Sequence, residues 1–157
     1  MKNMITLLMF LAAVTITPSL YSQGNDVKEG SYYFSKKVGG TMADVKKEVL
    51  SVMEQQGFSL VTTMEMDKKL AEKLDVEMKP YLILGFCNAK YAYKVIQVEE
   101  NIGLFLPCKV VLKQVDESMV EVVAVNPSSV MKMLGNAELN DVATSVTQKF
   151  REAMDML

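Results

Sequence analysis

Cys87 and Cys108 are the residues of this sequence with the widest reach in covalent chemistry. They are its only two cysteines, with twenty residues between them. Such a pair can close a disulfide, exchange between dithiol and disulfide, carry sulfur or hold a soft metal; either residue can equally serve as a small buried hydrophobe. The spacing is not Cys-x-x-Cys, so it selects none of these. The hydrophobic pattern places Cys87 at the end of one strand and Cys108 at the start of another. If those strands are antiparallel neighbours the two ends meet and a bridge is possible; if they are parallel the sulfurs lie at opposite edges of the sheet. A bridge around a loop of this size would contribute on the order of 3 kcal/mol.

Other chemistry is thinner. There is no His, and Arg151 is the one arginine. That excludes imidazole general bases, His metal ligands, Ser-His-Asp and Cys-His pairs, and paired Arg clamps on phosphate. Three Met-x-Met pairs, Met64/Met66, Met131/Met133 and Met154/Met156, offer thioethers suited to Cu(I). Residues two apart on a helix face nearly opposite ways, which disfavours the second and third, and the first lies on a strand face whose pattern reads as buried. Gly39-Gly40-Thr41 leads from a strand into a helix start, where backbone amides could hold an anion, but it lacks the spacing and the Lys of a phosphate loop and reads as a tight turn. Glu99-Glu100 and Asp116-Glu117 read as solvated helix ends and turns, and Tyr91 and Tyr93 as packing and surface contacts.

The elements that must position these residues follow from periodicity. Ser31–Val38, rich in aromatic residues, reads as a strand. Thr41, three residues before Asp44, opens a helix to about Gln56 whose inner stripe is Val45, Val49, Val52 and Met53. Phe58, Leu60, Thr62, Met64 and Met66 alternate as one face of a half-buried strand. Asp67 caps a short helix carrying Leu70 and Leu74, and Pro80 precedes the apolar strand Tyr81–Phe86. Asn88 caps a helix with inner residues Ala92, Val95 and Ile96, closed by Asn101-Ile102-Gly103. Cys108–Val115 and Met119–Val125 form a hairpin across Asp116-Glu117-Ser118. Asn126-Pro127 opens a short helix ending at Gly135, and a last helix runs from about Glu138 to Met154. The sum is an α+β domain: a largely antiparallel sheet of about five strands with helices on one face. Val61, Val111 and Val123 then sit on a face with little left to cover it, and homodimerisation, face to face or edge to edge, is the simplest cover.

Composition sets the outer limits. The chain has 157 residues, 50% hydrophobic and 23% charged, with 17 basic and 19 acidic residues. That is one globular domain without the basic excess that binding a nucleic acid requires. Met1-Lys2-Asn3 followed by the uncharged run Met4–Ile16 reads as a secretory signal of residues 1–22, cut after Ser22, with residues 23–30 a flexible leader and 31–157 the single domain. An uncleaved anchor is the alternative for so short a run. No Cys lies near the cut to carry a lipid. The expected protein is periplasmic or secreted, with no stable membrane span once the signal is removed.

Two segments resemble a known family. Gly85-Phe86-Cys87-Asn88 followed by a helix with Lys94, and Ile102-Gly103-Leu104-Phe105-Leu106-Pro107-Cys108 running into Val110-Val111, are similar in order and spacing to the family catalogued as domain of unknown function 302. The likeness covers about Tyr32 to Met154. Ala89 departs from it, since the family often has Pro after the Asn. The resemblance implies a compact α+β fold that tends to form homodimers, and brings with it no activity, substrate or cofactor. By matching positions it draws attention to Cys87, Asn88, Glu100 and Cys108.

The functional expectation is therefore an exported, homodimeric, non-catalytic binding or accessory domain, with an unknown small ligand or protein as partner, no nucleic acid, no cofactor and no metal. Two alternatives belong to other classes: a thiol redox or sulfur-handling protein using Cys87 and Cys108, and a Cu(I)-binding protein.

Overall fold

The computed structural model describes residues 26–157, so the expected signal segment and its cut site lie outside the described residues. Six strands form one antiparallel sheet in the order β1-β2-β6-β5-β4-β3. They are β1 (Lys28–Glu29), β2 (Tyr33–Gly39), β3 (Ser59–Glu65), β4 (Tyr81–Cys87), β5 (Cys108–Asp116) and β6 (Met119–Val125). Five α-helices accompany them: α1 (Met42–Gln55), α2 (Met66–Leu74), α3 (Ala89–Val98), α4 (Pro127–Lys132) and α5 (Asn140–Met156). Short 3-10 turns at Glu100–Phe105 and Ala137–Leu139 complete the elements among the described residues. The α+β expectation holds. The strand beyond the expected five is β1, where Lys28 and Glu29 pair with Ser35 and Phe34 instead of trailing as a leader.

Strand register sorts side chains onto two faces. Thr63, Leu84, Val110, Ala124 and Phe34 lie opposite one another in one cross-strand row, and Leu82, Leu112 and Val122 in the next. Apart from Thr63, all of these are buried, under α1 and α5. α1 closes over the sheet with the expected stripe, Val45, Val49, Val52 and Met53, and its N-terminus is held by Thr41 Oγ1, which accepts from the Asp44 amide at 3.3 Å. Gly40, at φ +133, makes the tight turn before it.

One charged side chain is folded into this core. Lys36 is 8% exposed, and its Nζ donates to the carbonyls of Met154 and Asp155, each at 3.2 Å. The ammonium thus satisfies carbonyls that the last turn of α5 leaves without helical partners. Arg151, from α5, lies 4.7 Å from the centroid of the Phe34 ring and pairs with Glu29 on β1.

Three expectations are corrected. β3 is not half-buried on one regular face: all seven of its residues are exposed. A bulge between Leu60 and Thr62 changes its parity, so Leu60 opposes Phe86 on the helix side, whereas Thr62 and Met64 oppose Gly85 and Ile83 on the other. The strand is also the sheet's edge, only grazed by α1. α2 buries none of its residues, with Leu74 64% exposed, and ends at Asp75 in a left-handed turn at φ 51. On α3 only Val95 is fully buried; Ile96 is exposed, because α3 leans on α5 along a narrow line.

Candidate functional site

A second, smaller core sits beside the main one. Val95 of α3, Ile102, Met131 of α4, and Leu139 and Ala143 near the start of α5 pack together, separate from the cluster over the sheet. Ile102, at 0% exposure, is the anchor of the 3-10 turn that follows α3. A cleft opens along the seam between the two cores. Phe58, Phe86 and Val146 come from the main core, and Val95, Met131 and Ala143 from the smaller. Cys87, Asn88, Tyr91, Ala92, Cys108, Pro127 and Val142 complete the wall.

The two cysteines are brought there by β4 and β5. These strands are antiparallel neighbours, and Phe86 is directly opposite Cys108, which leaves Cys87 one residue beyond the last pair of the ladder. The condition set by the sequence is thereby met: the strand ends coincide. Both residues are free thiols. Burial pushes the Cys108 thiol up to about 11, with Cys87 adding to the rise and Lys109 opposing it. Burial also raises the Cys87 thiol. At neutral pH both sulfurs are therefore protonated, and neither resembles an activated nucleophile.

The two segments that carry the family resemblance meet face to face. Gly85 lies under Pro107: a Cβ at Gly85 would come within 2.5 Å of Pro107 Cγ and 2.2 Å of Thr62 Oγ1. Only glycine leaves room for both neighbours. The Leu106-Pro107 peptide is cis.

Asn88 stands at the rim, where its amide is committed to backbone. Its Oδ1 accepts from the amides of Lys90 at 3.1 Å and Tyr91 at 3.3 Å, capping α3, and its Nδ2 donates to the Gly57 carbonyl at 2.8 Å. It therefore fastens α3 to the turn between α1 and β3. Glu100 is not brought into the cleft. It is exposed at the start of the 3-10 turn, past the far end of α3 from Asn88; ten helical residues separate the ends, or about 15 Å at 1.5 Å per residue.

The sequence reasoning missed Met131, Ala143 and Val146 as cleft residues. Their signal was present in the apolar stripes of the last two helices, but nothing local says that those stripes border a cleft instead of closing a core. The methionine pairs are split: Met131 lines the cleft while Met133 is 79% exposed, and Met154 is buried while Met156 is 45% exposed. Met64 is exposed on β3, and Met66 begins α2. Among the described residues no group of three or more Cys, Asp or Glu side chains is placed to hold a metal ion. Among the same residues no helix is long and apolar enough to cross a membrane.

The cleft is small. Its free volume is 40 Å³, above the roughly 10–15 Å³ that one water needs and well below the roughly 150 Å³ of a cavity that takes benzene. Its lining is mostly carbon, with the two protonated sulfurs, the Asn88 amide at the rim and Tyr91 beside them, so it can receive the apolar tip of a ligand. It contains no carboxylate, amine or imidazole to move a proton.

No curated protein matches the chain. Among solved structures, the chain is similar to an uncharacterized conserved DUF302 protein from Bacillus stearothermophilus, with 23% identity and a TM-score of 0.74 over 81% of this chain and 98% of that one. At that identity the likeness speaks for the fold. The model of the family described as domain of unknown function DUF302 matches residues 34–157, from the start of β2 through α5, and the chain belongs to this family.

Proposed function

We propose that this protein is an exported, homodimeric binding or accessory domain without catalytic turnover, and that the cleft at the seam of its two cores receives the apolar end of a small ligand. One observation carries the reading: the family's two segments converge on a small apolar cleft without carboxylate, amine or imidazole, whose two thiols both keep their protons at neutral pH. Cys108 is protonated, Cys87 likewise, and the Asn88 amide is used by backbone. Export is supported by the charged start and apolar run of the first sixteen residues. Self-association is supported by the concentration of exposed apolar side chains along the β3 side of the molecule, where Leu60, Val61, Met64, Leu74, Val76 and Met78 are all more than a third exposed.

A series of straight-chain alcohols from propanol to octanol tests the ligand reading. Binding is followed through the methyl resonances of Met131, Ala143 and Val146. Each methylene that enters the cleft should strengthen binding by about 0.8 kcal/mol, and the gain should stop once the tip fills the space. Ala143→Phe should abolish the saturable shifts while the fold, read by circular dichroism, is kept. Methyl shifts that never saturate, or that survive Ala143→Phe, would refute the cleft as a binding site.

A further inference from the structure

We propose that Cys87 and Cys108 are an oxidisable pair, converted to an intramolecular disulfide when the chain meets a small-molecule disulfide. The β4–β5 ladder ends at the Phe86–Cys108 pair, so Cys87 lies diagonally across from Cys108. An interstrand spacing of about 5 Å and a rise of about 3.3 Å put their Cα atoms about 6 Å apart, within the span that disulfides bridge. Both residues border the same cleft. Strict alternation would turn Cys87 away from the face of Phe86 and Cys108. Opposite Cys87, however, stands Pro107, which has no amide hydrogen to donate, and the β4–β5 ladder stops before this position, so Cys87 is held in the sheet from the β3 side, where it pairs with Ser59, and is less constrained on the side of its partner. A charge on Cys87 also disfavours one on Cys108, as expected of neighbouring sulfurs.

The order of events follows from depth. Cys87 is the less buried thiol, so it reacts first. Its thiolate, after losing a proton to water, attacks one sulfur of the external disulfide; a bond forms to Cys87 Sγ and the other half leaves as a thiolate that takes up a proton. Cys108 then loses its proton, attacks Cys87 Sγ and expels the second half as a thiol. Two protein thiols are oxidised and one external disulfide is reduced to two thiols. The raised thiols make the reaction slow at neutral pH and faster as the pH rises. The bridge encloses residues 88–107, which include α3, and so pins that wall of the cleft to the sheet. The pairing does not depend on what fills the cleft.

The test incubates the purified, reduced full chain with oxidised glutathione, then denatures it, alkylates it with iodoacetamide and measures the intact mass. The expected product is a single chain that takes no iodoacetamide, carries no glutathione and weighs two hydrogens less than the dithiol form. Cys108→Ser should instead hold one glutathione, on Cys87, until a reductant is added. A wild-type chain that keeps glutathione on Cys87, forms a chain-to-chain disulfide or remains fully alkylatable overturns the proposal. So does a Cys108→Ser chain that takes up no glutathione. The alcohol titration uses reduced protein alone, so failure of one proposal is distinguishable from failure of the other.

Discussion

The two faces of the sheet are built from adjacent residues of the same strands, yet they live under different physics. On the helix side Leu84, Val110 and Ala124 oppose one another and are at most 1% exposed. On the other side Met64, Ile83, Val111 and Val123 form an equally apolar cross-strand row, and none of them is fully buried. The neighbouring row holds Tyr81, Lys113, Glu121 and Lys37, with Lys113 and Glu121 paired at 2.8 Å. Apolar content alone therefore does not make a core. What separates the faces is whether helices lie over them, and all the large helices that pack on the sheet chose one side.

The contrast is strongest for volume loss. Phe86→Ala removes a ring 1% exposed at the junction of sheet and cleft and should lower unfolding stability by about 3–5 kcal/mol. Val111→Ala, half-buried on the other face, should cost about 1 kcal/mol. Urea denaturation of the two variants measures the difference, and equal losses would mean that the second face is also covered in solution.

Titration comes next. The Cys108 thiol, pushed up to about 11 from an ordinary 9.0, keeps its proton in the folded chain at pH values where the unfolded chain has released it. Its contribution is therefore complete below pH 9 and is lost as the pH rises to about 11, by roughly 2–3 kcal/mol. Cys108→Ala should flatten that part of the stability profile, whereas a mutation on the far face should leave it in place.

Lys36 and Lys37 make the comparison with one residue type. Lys36→Met strips two carbonyls of a buried ammonium and should destabilise by about 2 kcal/mol. Lys37→Met, exposed on the other face, should change stability by less than about 0.5 kcal/mol. Thermal unfolding of both settles the ratio. The smallest effect on folding belongs to Val61→Lys on the exposed edge strand, within about 0.5 kcal/mol. Its expected effect is on assembly: the wild-type chain should sediment as a dimer and the variant as a single subunit.

Sequence pattern was sufficient where one element decides its own fate. The α1 stripe, the Thr41 and Asn88 caps and the hairpin at Asp116–Ser118 are local, and the structure contains them all. It was insufficient where a partner decides. The bulge that reverses β3 is invisible in Leu60-Val61-Thr62 because alternation reads straight through it. Ile96 has the spacing of a buried residue but nothing above it. The site was legible in part: strand ends identified Cys87 and Cys108, but only the β4–β5 register brings them to one cleft. Glu100 entered by position in a motif and lies a helix length away.

The seam between the two cores also divides the protein mechanically. The smaller cluster holds five buried residues, distinct from the larger one, with Val142 packed against both, so α3 and its flanking turn form a unit that can detach while the sheet stays folded. Amide hydrogens of α3 should then exchange at a lower free energy than those of β5. The Asn88–Gly57 contact acts as the latch on that door.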